Sequence, residues 1–201
     1  MASEVERHPF EPFLPENAKV LFLGSFPPQP KRWSMEFYYP NFINDFWRIM
    51  GLIFFSDKDR FVDTGAKKFK LTEIISFCNE YGFAMYDTAT AVRRLKDNAS
   101  DKFLEVVEPT DVGALLRRIP DCRAVVTTGE KATETLCAVF GTLPPAVGEY
   151  SSFRFEGRDV QFWRMPSSSR AYPLPLQRKA DVYRRLFEGL NMSDYSTKAT
   201  I

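Results

Sequence analysis

Three uninterrupted apolar runs constrain this chain more than any other feature of its sequence. Lys19-Val20-Leu21-Phe22-Leu23 ends at Gly24, Phe83-Ala84-Met85-Tyr86 ends at Asp87, and Arg123-Ala124-Val125-Val126-Thr127 leads into Thr128-Gly129. None alternates apolar with polar residues, so a strand built from any of them has no face to offer to water and must be covered on both sides. A fourth run, Val160-Gln161-Phe162-Trp163, is joined by Glu156-Gly157-Arg158-Asp159 to Ser152-Phe153-Arg154-Phe155, a pattern that predicts a hairpin.

Helical spacing falls between the runs. It predicts a short helix over 45–50, capped by Asn44 and stopped at Gly51, and further helices over 72–80, from Pro109 to about 118, over 130–140 and over about 176–188. Residues 88–101 read as a long polar loop, helical in part. Strands alternating with helices predict an α/β fold, a three-layer α/β/α sandwich around a central, mainly parallel four-stranded sheet. Without an internal repeat or a dividing linker, residues 1–192 read as a single domain followed by a polar tail, 193–201.

Composition and residue counts remove several classes of function. No apolar run is long enough to span a bilayer, and MASEVERHPF at the N-terminus lacks the layout of a signal peptide, so no membrane partner and a cytoplasmic location are the expectations. Cys78, Cys122 and Cys137 are odd in number, widely spaced and without a C-x-x-C pair. No disulfide framework, metal site or cofactor is expected from them, and they read as buried small hydrophobes. The single histidine, His8, lies in the N-terminal arm, poorly placed to serve a Ser-His-Asp or Cys-His mechanism. The net charge is only +1, but residues 160–190 carry six basic side chains (Arg164, Arg170, Arg178, Lys179, Arg184, Arg185) against Asp181 and Glu188. Such a cluster is either a solvated helix face or a local surface for a phosphate backbone.

In open parallel sheets, ligands bind outside the carboxyl ends of the strands. Four unusual segments fall there: Gly24-Ser25-Phe26-Pro27-Pro28, Asp87, Thr127-Thr128-Gly129, and Met165-Pro166-Ser167-Ser168-Ser169. The serine run leads toward a helix, offers backbone N–H groups and hydroxyl donors, and is stiffened by flanking prolines, a combination that suits a phosphodiester anion. It also fits an ordinary turn ending in a helix cap. Of the ten residues 37–46, seven are aromatic or carboxamide, the groups that stack on a base or read its edge, although Phe46 and Trp47 read as core residues of a short helix.

Taken in order, these segments resemble the uracil-DNA glycosylase superfamily. Met165-Pro166-Ser167-Ser168-Ser169 is similar to the second signature loop of the mismatch-directed thymine/uracil branch. Tyr39-Pro40-Asn41-Phe42-Ile43-Asn44-Asp45-Phe46-Trp47 resembles its Tyr-Pro-x-x-x-Asn-x-Phe-Trp segment, and Gly24-Ser25-Phe26-Pro27-Pro28 stands where that branch has Gly-x-Asn-Pro-Gly. Gly82-Phe83-Ala84-Met85-Tyr86-Asp87 resembles the Gly-x-x-Leu-Trp-Asp stretch of the hypoxanthine-DNA glycosylase branch, and Thr128-Gly129-Glu130-Lys131-Ala132 is similar to a Gly-Lys-Lys-Ala stretch common in these proteins.

The resemblance implies a monomeric, metal-independent, monofunctional DNA glycosylase of base excision repair. It would bind DNA and remove uracil, hypoxanthine or mispaired thymine by hydrolysis of the N-glycosidic bond. The first-loop asparagine of the mismatch branch is replaced here by Phe26. The hypoxanthine branch also lacks it and takes the asparagine of its Asn-x-Phe-Trp segment as catalytic, which implies Asn44 here. Tyr39 is then expected to stack on the base, with Gly24, Ser25 and the Phe26 N–H around it. Pro166, Ser167, Ser168 and Ser169 are expected to grip the DNA, with Arg170 or Tyr172 filling the gap left by the flipped nucleotide. Asp87 is a second catalytic candidate, as general base or as a stabiliser of the cationic sugar; it also reads as a turn residue. Two other readings remain at this point: a nucleic-acid-binding member of the same fold without activity, and a small-molecule enzyme, which would lack a Gly-rich phosphate fingerprint after the first strand.

Overall fold

Val20–Gly24, Phe83–Asp87 and Ala124–Thr128 are buried along their whole length in the computed structural model, which describes residues 4–96 and 101–192. In chain order the elements are β1 (Val5–Arg7), β2 (Val20–Gly24), α1 (Phe46–Phe55), β3 (Val62–Asp63), β4 (Lys68–Phe69), α2 (Leu71–Tyr81), β5 (Phe83–Asp87), β6 (Ala89–Arg94), β7 (Leu104–Pro109), α3 (Val112–Arg118), β8 (Ala124–Thr128), α4 (Glu130–Phe140), β9 (Tyr150–Phe155), β10 (Arg158–Met165) and α5 (Leu176–Gly189).

The central sheet has the order β5-β2-β8-β10-β9. Its first four strands are parallel: Val20 pairs with both Phe83 and Ala124, and Phe162 pairs with Val125. The sheet has five strands rather than the four expected, because the first arm of the predicted hairpin, β9, stays in register with β10 and closes the edge antiparallel. Its half-buried face packs Phe153 against Phe140 of α4, at 5.1 Å between ring centroids. Helices cover both faces of the sheet. Phe22 and Phe83 meet Phe46 of α1, Phe77 of α2 and Phe187 of α5 on one side. Thr127 of β8 meets Thr133 of α4 through their hydroxyls, 2.8 Å apart, on the other.

Two local expectations are corrected. Gly51 does not stop α1; the helix continues to Phe55 and ends at Ser56 in the left-handed region (φ 55°). A mid-helix glycine costs on the order of 1 kcal/mol, which burying Ile53 and Phe54 in the next turn outweighs. The glycine is needed for another reason: a Cβ there would collide with the Asp57 carbonyl oxygen of the returning chain.

The stretch read as a polar loop contains β6, the middle strand of a second sheet of order β1-β6-β7. β6 pairs antiparallel with the N-terminal arm on one side and with β7 on the other. Phe26, just past the end of β2, packs with Ala89, Val92 and Leu104 of this sheet in a small core of its own. Residues 97–100 of the expected loop and the tail 193–201 lie outside the described residues.

Candidate active site

The carboxyl ends of β2, β5, β8 and β10 open into one cleft of about 980 Å³. Its wall includes Gly24, Ser25, Phe26, Tyr39, Asn44, Asp87, Ser167, Ser168, Ser169, Arg170 and Tyr172. Of the sequence candidates only Pro166 stands outside the wall; it is buried, and its carbonyl accepts a hydrogen bond from Tyr183 Oη (2.8 Å).

At the floor, Gly24 and Asp87 are register partners on neighbouring strands. A Cβ on Gly24 would collide with Asp87 Oδ1, so the glycine is what lets the carboxylate lie against the strand end. Among the described residues the carboxylate makes no turn hydrogen bond; Oδ2 lies 2.8 Å from His8 Nε2. This corrects the placement of His8. The N-terminal arm runs as β1 along β6 and carries the imidazole to the back of the site, where the His8 and Asp87 side chains are 2% and 10% exposed.

Tyr39 bridges the loop before α1 and the end of β8. Its ring stacks on Phe46 at 3.8 Å and 8° between planes, and its hydroxyl lies 2.8 Å from Thr128 Oγ1. Burial raises the pKa of the phenol, although the Thr128 bond opposes the shift. The residue has φ 54°, a strained conformation for an aromatic side chain that persists only where the surroundings enforce it. One ring face is covered by Phe46, so a ligand can approach only the other.

Asn44 works locally as a cap, though one residue earlier than a cap position for the helix as formed. Its Oδ1 accepts the Phe46 N–H at 2.9 Å, which fixes the amide orientation. Its Nδ2 makes no hydrogen bond among the described residues, so the donor end of the carboxamide is left for the cleft. Arg48 braces the same turn, donating to the Phe42 and Asn44 carbonyls at 2.8 and 3.1 Å.

The serine loop is tied to that turn by main chain and by charge. Asn44 and Ser169 form an isolated antiparallel bridge, and the Asp45 N–H donates to the Ser168 carbonyl at 2.9 Å. Asp45 then receives two cations: Arg170 Nε on Oδ1 and Lys179 Nζ on Oδ2, each at 3.0 Å. Lys179 Nζ also donates to the Ser169 carbonyl at 2.7 Å. Sequence reasoning missed Asp45 and counted Lys179 in the basic face, whereas it is a buried strut. Arg170 is likewise held at its base, which leaves Tyr172 as the untethered candidate for the tip. Ser167 Oγ accepts the Ser169 N–H and Ser169 Oγ accepts the Ala171 N–H, both at 3.2 Å. A hydroxyl that accepts in this way keeps its own proton to donate.

Phe26 presents only its backbone as a polar group, because its ring packs 5.3 Å from His8 and under the Arg94 guanidinium. Arg94 is spent on Glu6 (2.9 Å) and the Pro27 carbonyl (2.5 Å). Asp101 hydrogen-bonds Ser25. Loss of hydration around its carboxyl, aided by the charge of Asp87, holds its pKa above the usual range, an effect moderated because the residue as a whole is exposed. The wall thus mixes cations (Arg32, Lys102, Lys131, Arg170) with anions (Asp87, Asp101, Glu130) instead of presenting a uniformly basic face. On α5, Arg184 pairs with Asp181 and Arg185 with Glu149, so the expected basic cluster is largely paired.

Cys78, Cys122 and Cys137 are buried and free, in keeping with their reading as small hydrophobes.

No family model matches the chain, and no curated protein does. Among solved structures, a solution NMR structure from Methanosarcina acetivorans, described as a "putative uracil DNA glycosylase", matches with a TM-score of 0.58 at 22% identity, covering 92% of this chain and 99% of that one. The chain shares the fold of that structure.

Proposed function

We propose that this chain is a DNA glycosylase that removes a damaged or mismatched base by hydrolysis of its N-glycosidic bond. The observation that carries the reading is the meeting of the β2 end, the Tyr39–Asn44 turn, Asp87 and the serine loop around one open cleft. The likeness of the fold to that of a structure described as a "putative uracil DNA glycosylase" supports it.

In this reading the Ser167 and Ser169 hydroxyls take phosphates, and Tyr172 enters the space vacated by the base. Flipping costs a few kcal/mol and less at a mismatch, which itself selects lesions. The base lies on the free face of Tyr39, near the Phe26 N–H. The C1′–N bond breaks with its electron pair going to the base, and the sugar becomes oxocarbenium-like. Water adds to C1′, giving its proton to Asp87, whose negative charge also stabilises the cationic sugar. Asn44 Nδ2 donates to the departing base or to the water. The chain acts as a monomer without a metal, and it leaves an abasic site uncleaved.

The test is incubation with duplexes carrying uracil, hypoxanthine or G·T, followed by alkali. Strand breaks at the lesion support the reading. Salt-sensitive binding to every duplex with no breaks on any of them would replace it with the non-catalytic binder that Phe26, in place of a water-positioning asparagine, otherwise favours.

A further inference from the structure

We propose that His8 is a positioning residue of this site: it holds one oxygen of Asp87 so that the other faces the cleft. The inference rests on the glycosylase reading and adds to it a residue from the N-terminal arm, some 80 positions from its partner.

The imidazole has one consistent polarity toward an ionised Asp87. The Phe10 N–H lies 3.1 Å from His8 Nδ1, and the Phe10 carbonyl oxygen lies 2.9 Å from the same nitrogen. In the neutral ring, Nδ1 accepts from Phe10 and the proton sits on Nε2. In the imidazolium, Nδ1 donates to the Phe10 carbonyl and Nε2 again carries a proton. A carboxylate at Asp87 can only accept, so beside it either state donates from Nε2 to Oδ2 at 2.8 Å.

The ring has little freedom to do otherwise. It is enclosed by Tyr86, Phe26, Phe10 and Tyr38, with centroids 4.6, 5.3, 6.0 and 6.1 Å away. The His8 N–H is bonded to the Thr90 carbonyl at 2.9 Å, which extends the β1–β6 ladder to the histidine itself.

Asp87 is held from the other directions as well. Its carbonyl accepts from Thr110 Oγ1 at 2.6 Å, and the next residue, Thr88, donates its N–H to the Gly24 carbonyl at 2.8 Å. With the backbone pinned and Oδ2 bonded to His8, the carboxylate plane is set, and Oδ1 lies against Gly24 in the cleft wall. Small displacements of a reacting group cost on the order of 100-fold in rate, so a fixed carboxylate is worth a dedicated partner.

The experiment compares single-turnover base release by the unaltered chain, His8→Leu, His8→Gln, Asp87→Asn and the His8→Leu/Asp87→Asn double variant, with DNA affinity and thermal stability measured for each. His8→Leu is expected to lose on the order of 100-fold in rate with DNA affinity unchanged. His8→Gln, which can place an N–H near the Nε2 position, is expected to recover most of the rate. The double variant is expected to be no slower than Asp87→Asn alone. Because the chain has one histidine, the two imidazole ¹⁵N signals belong to His8, and that of Nε2, which reports its protonation directly, is expected to move in Asp87→Asn. Normal release by His8→Leu, multiplying losses in the double variant, or an imidazole signal that ignores Asp87→Asn each overturns the positioning role and leaves the glycosylase reading intact. No release by the unaltered chain removes both.

Discussion

Asp45 and Lys179 meet inside the protein, 134 residues apart in sequence and 3.0 Å apart in space. The pair locks the turn that carries Asn44 to the loop that carries the serines, and the same carboxylate collects Arg170 on its other oxygen. The two halves of the cleft are therefore joined by a buried charge cluster in addition to the main-chain bridge between Asn44 and Ser169.

Removing one partner leaves the other charge buried and uncompensated, which typically costs 3–5 kcal/mol. Lys179→Met leaves Asp45 paired with Arg170 and is expected to destabilise the chain by less than that in urea denaturation. Asp45→Asn leaves the Lys179 ammonium, 1% exposed, without its anion; it is expected to cost that full amount and to weaken binding to duplex DNA by loosening the serine loop.

The Asn44 carboxamide has two jobs that can be separated. Asn44→Asp keeps an oxygen for the Phe46 N–H and removes the donor facing the cleft. It is expected to keep stability within about 1 kcal/mol while lowering single-turnover release by about 100-fold. Asn44→Ala is expected to lose both rate and about 1 kcal/mol of stability. Equal rates for Asn44→Asp and the unaltered chain would assign the residue to capping alone.

Gly24 is predicted to tolerate no side chain. A methyl group there meets Asp87 Oδ1, and the carboxylate cannot swing away while Oδ2 is bonded to His8. Gly24→Ala is expected to cost about 1–3 kcal/mol, the usual penalty of overpacking, and to abolish base release. Circular dichroism separates that outcome from unfolding.

Tyr172 and Arg170 should behave differently. Tyr172→Ala is expected to slow extrusion of the target base, read by the fluorescence of 2-aminopurine placed opposite or beside the lesion, with little change in the salt dependence of binding. Arg170→Ala is expected to shift stability through Asp45 more than it shifts extrusion. The reverse pattern would make Arg170 the residue that fills the stack.

Burial raises the Cys122 thiol to about 11 from an unfolded value near 9, and it raises the Tyr39 and Tyr183 phenols as well. A folded-state pKa above the unfolded one means that the unfolded chain releases its proton first. The stabilisation is complete below about pH 9 and declines as pH rises toward about 11. Urea midpoints measured from pH 8 to pH 11 are expected to fall through that window.

Three of the four parallel strands were legible because each is a continuous apolar run, the fourth as the second arm of a hairpin, and the site's location followed from where those strands end. Asp87 and the serines could be picked out by their place at the strand ends, whereas Tyr39 and Asn44 stood in an aromatic and carboxamide stretch and were singled out by the resemblance. What the sequence concealed was long-range. β6 is made of small and charged residues (ATAVRR) that look like a loop until the N-terminal arm pairs with them, and that pairing is what brings His8 to Asp87. Asp45 and Lys179 have the composition of surface residues; only the crossing of α1 and α5 buries them against each other. The fifth strand was visible as half of a hairpin, but whether a hairpin arm joins a sheet depends on the register of its partner.

A structure of the chain bound to a duplex bearing a stable analogue of the flipped nucleotide tests the central claim most directly. The account predicts an extruded sugar with C1′ between Asp87 Oδ1 and Asn44 Nδ2, the base ring on the open face of Tyr39, and phosphates on the loop of Ser167 and Ser169. A duplex bound across another face, or an intact stack passing over an empty cleft, would contradict it.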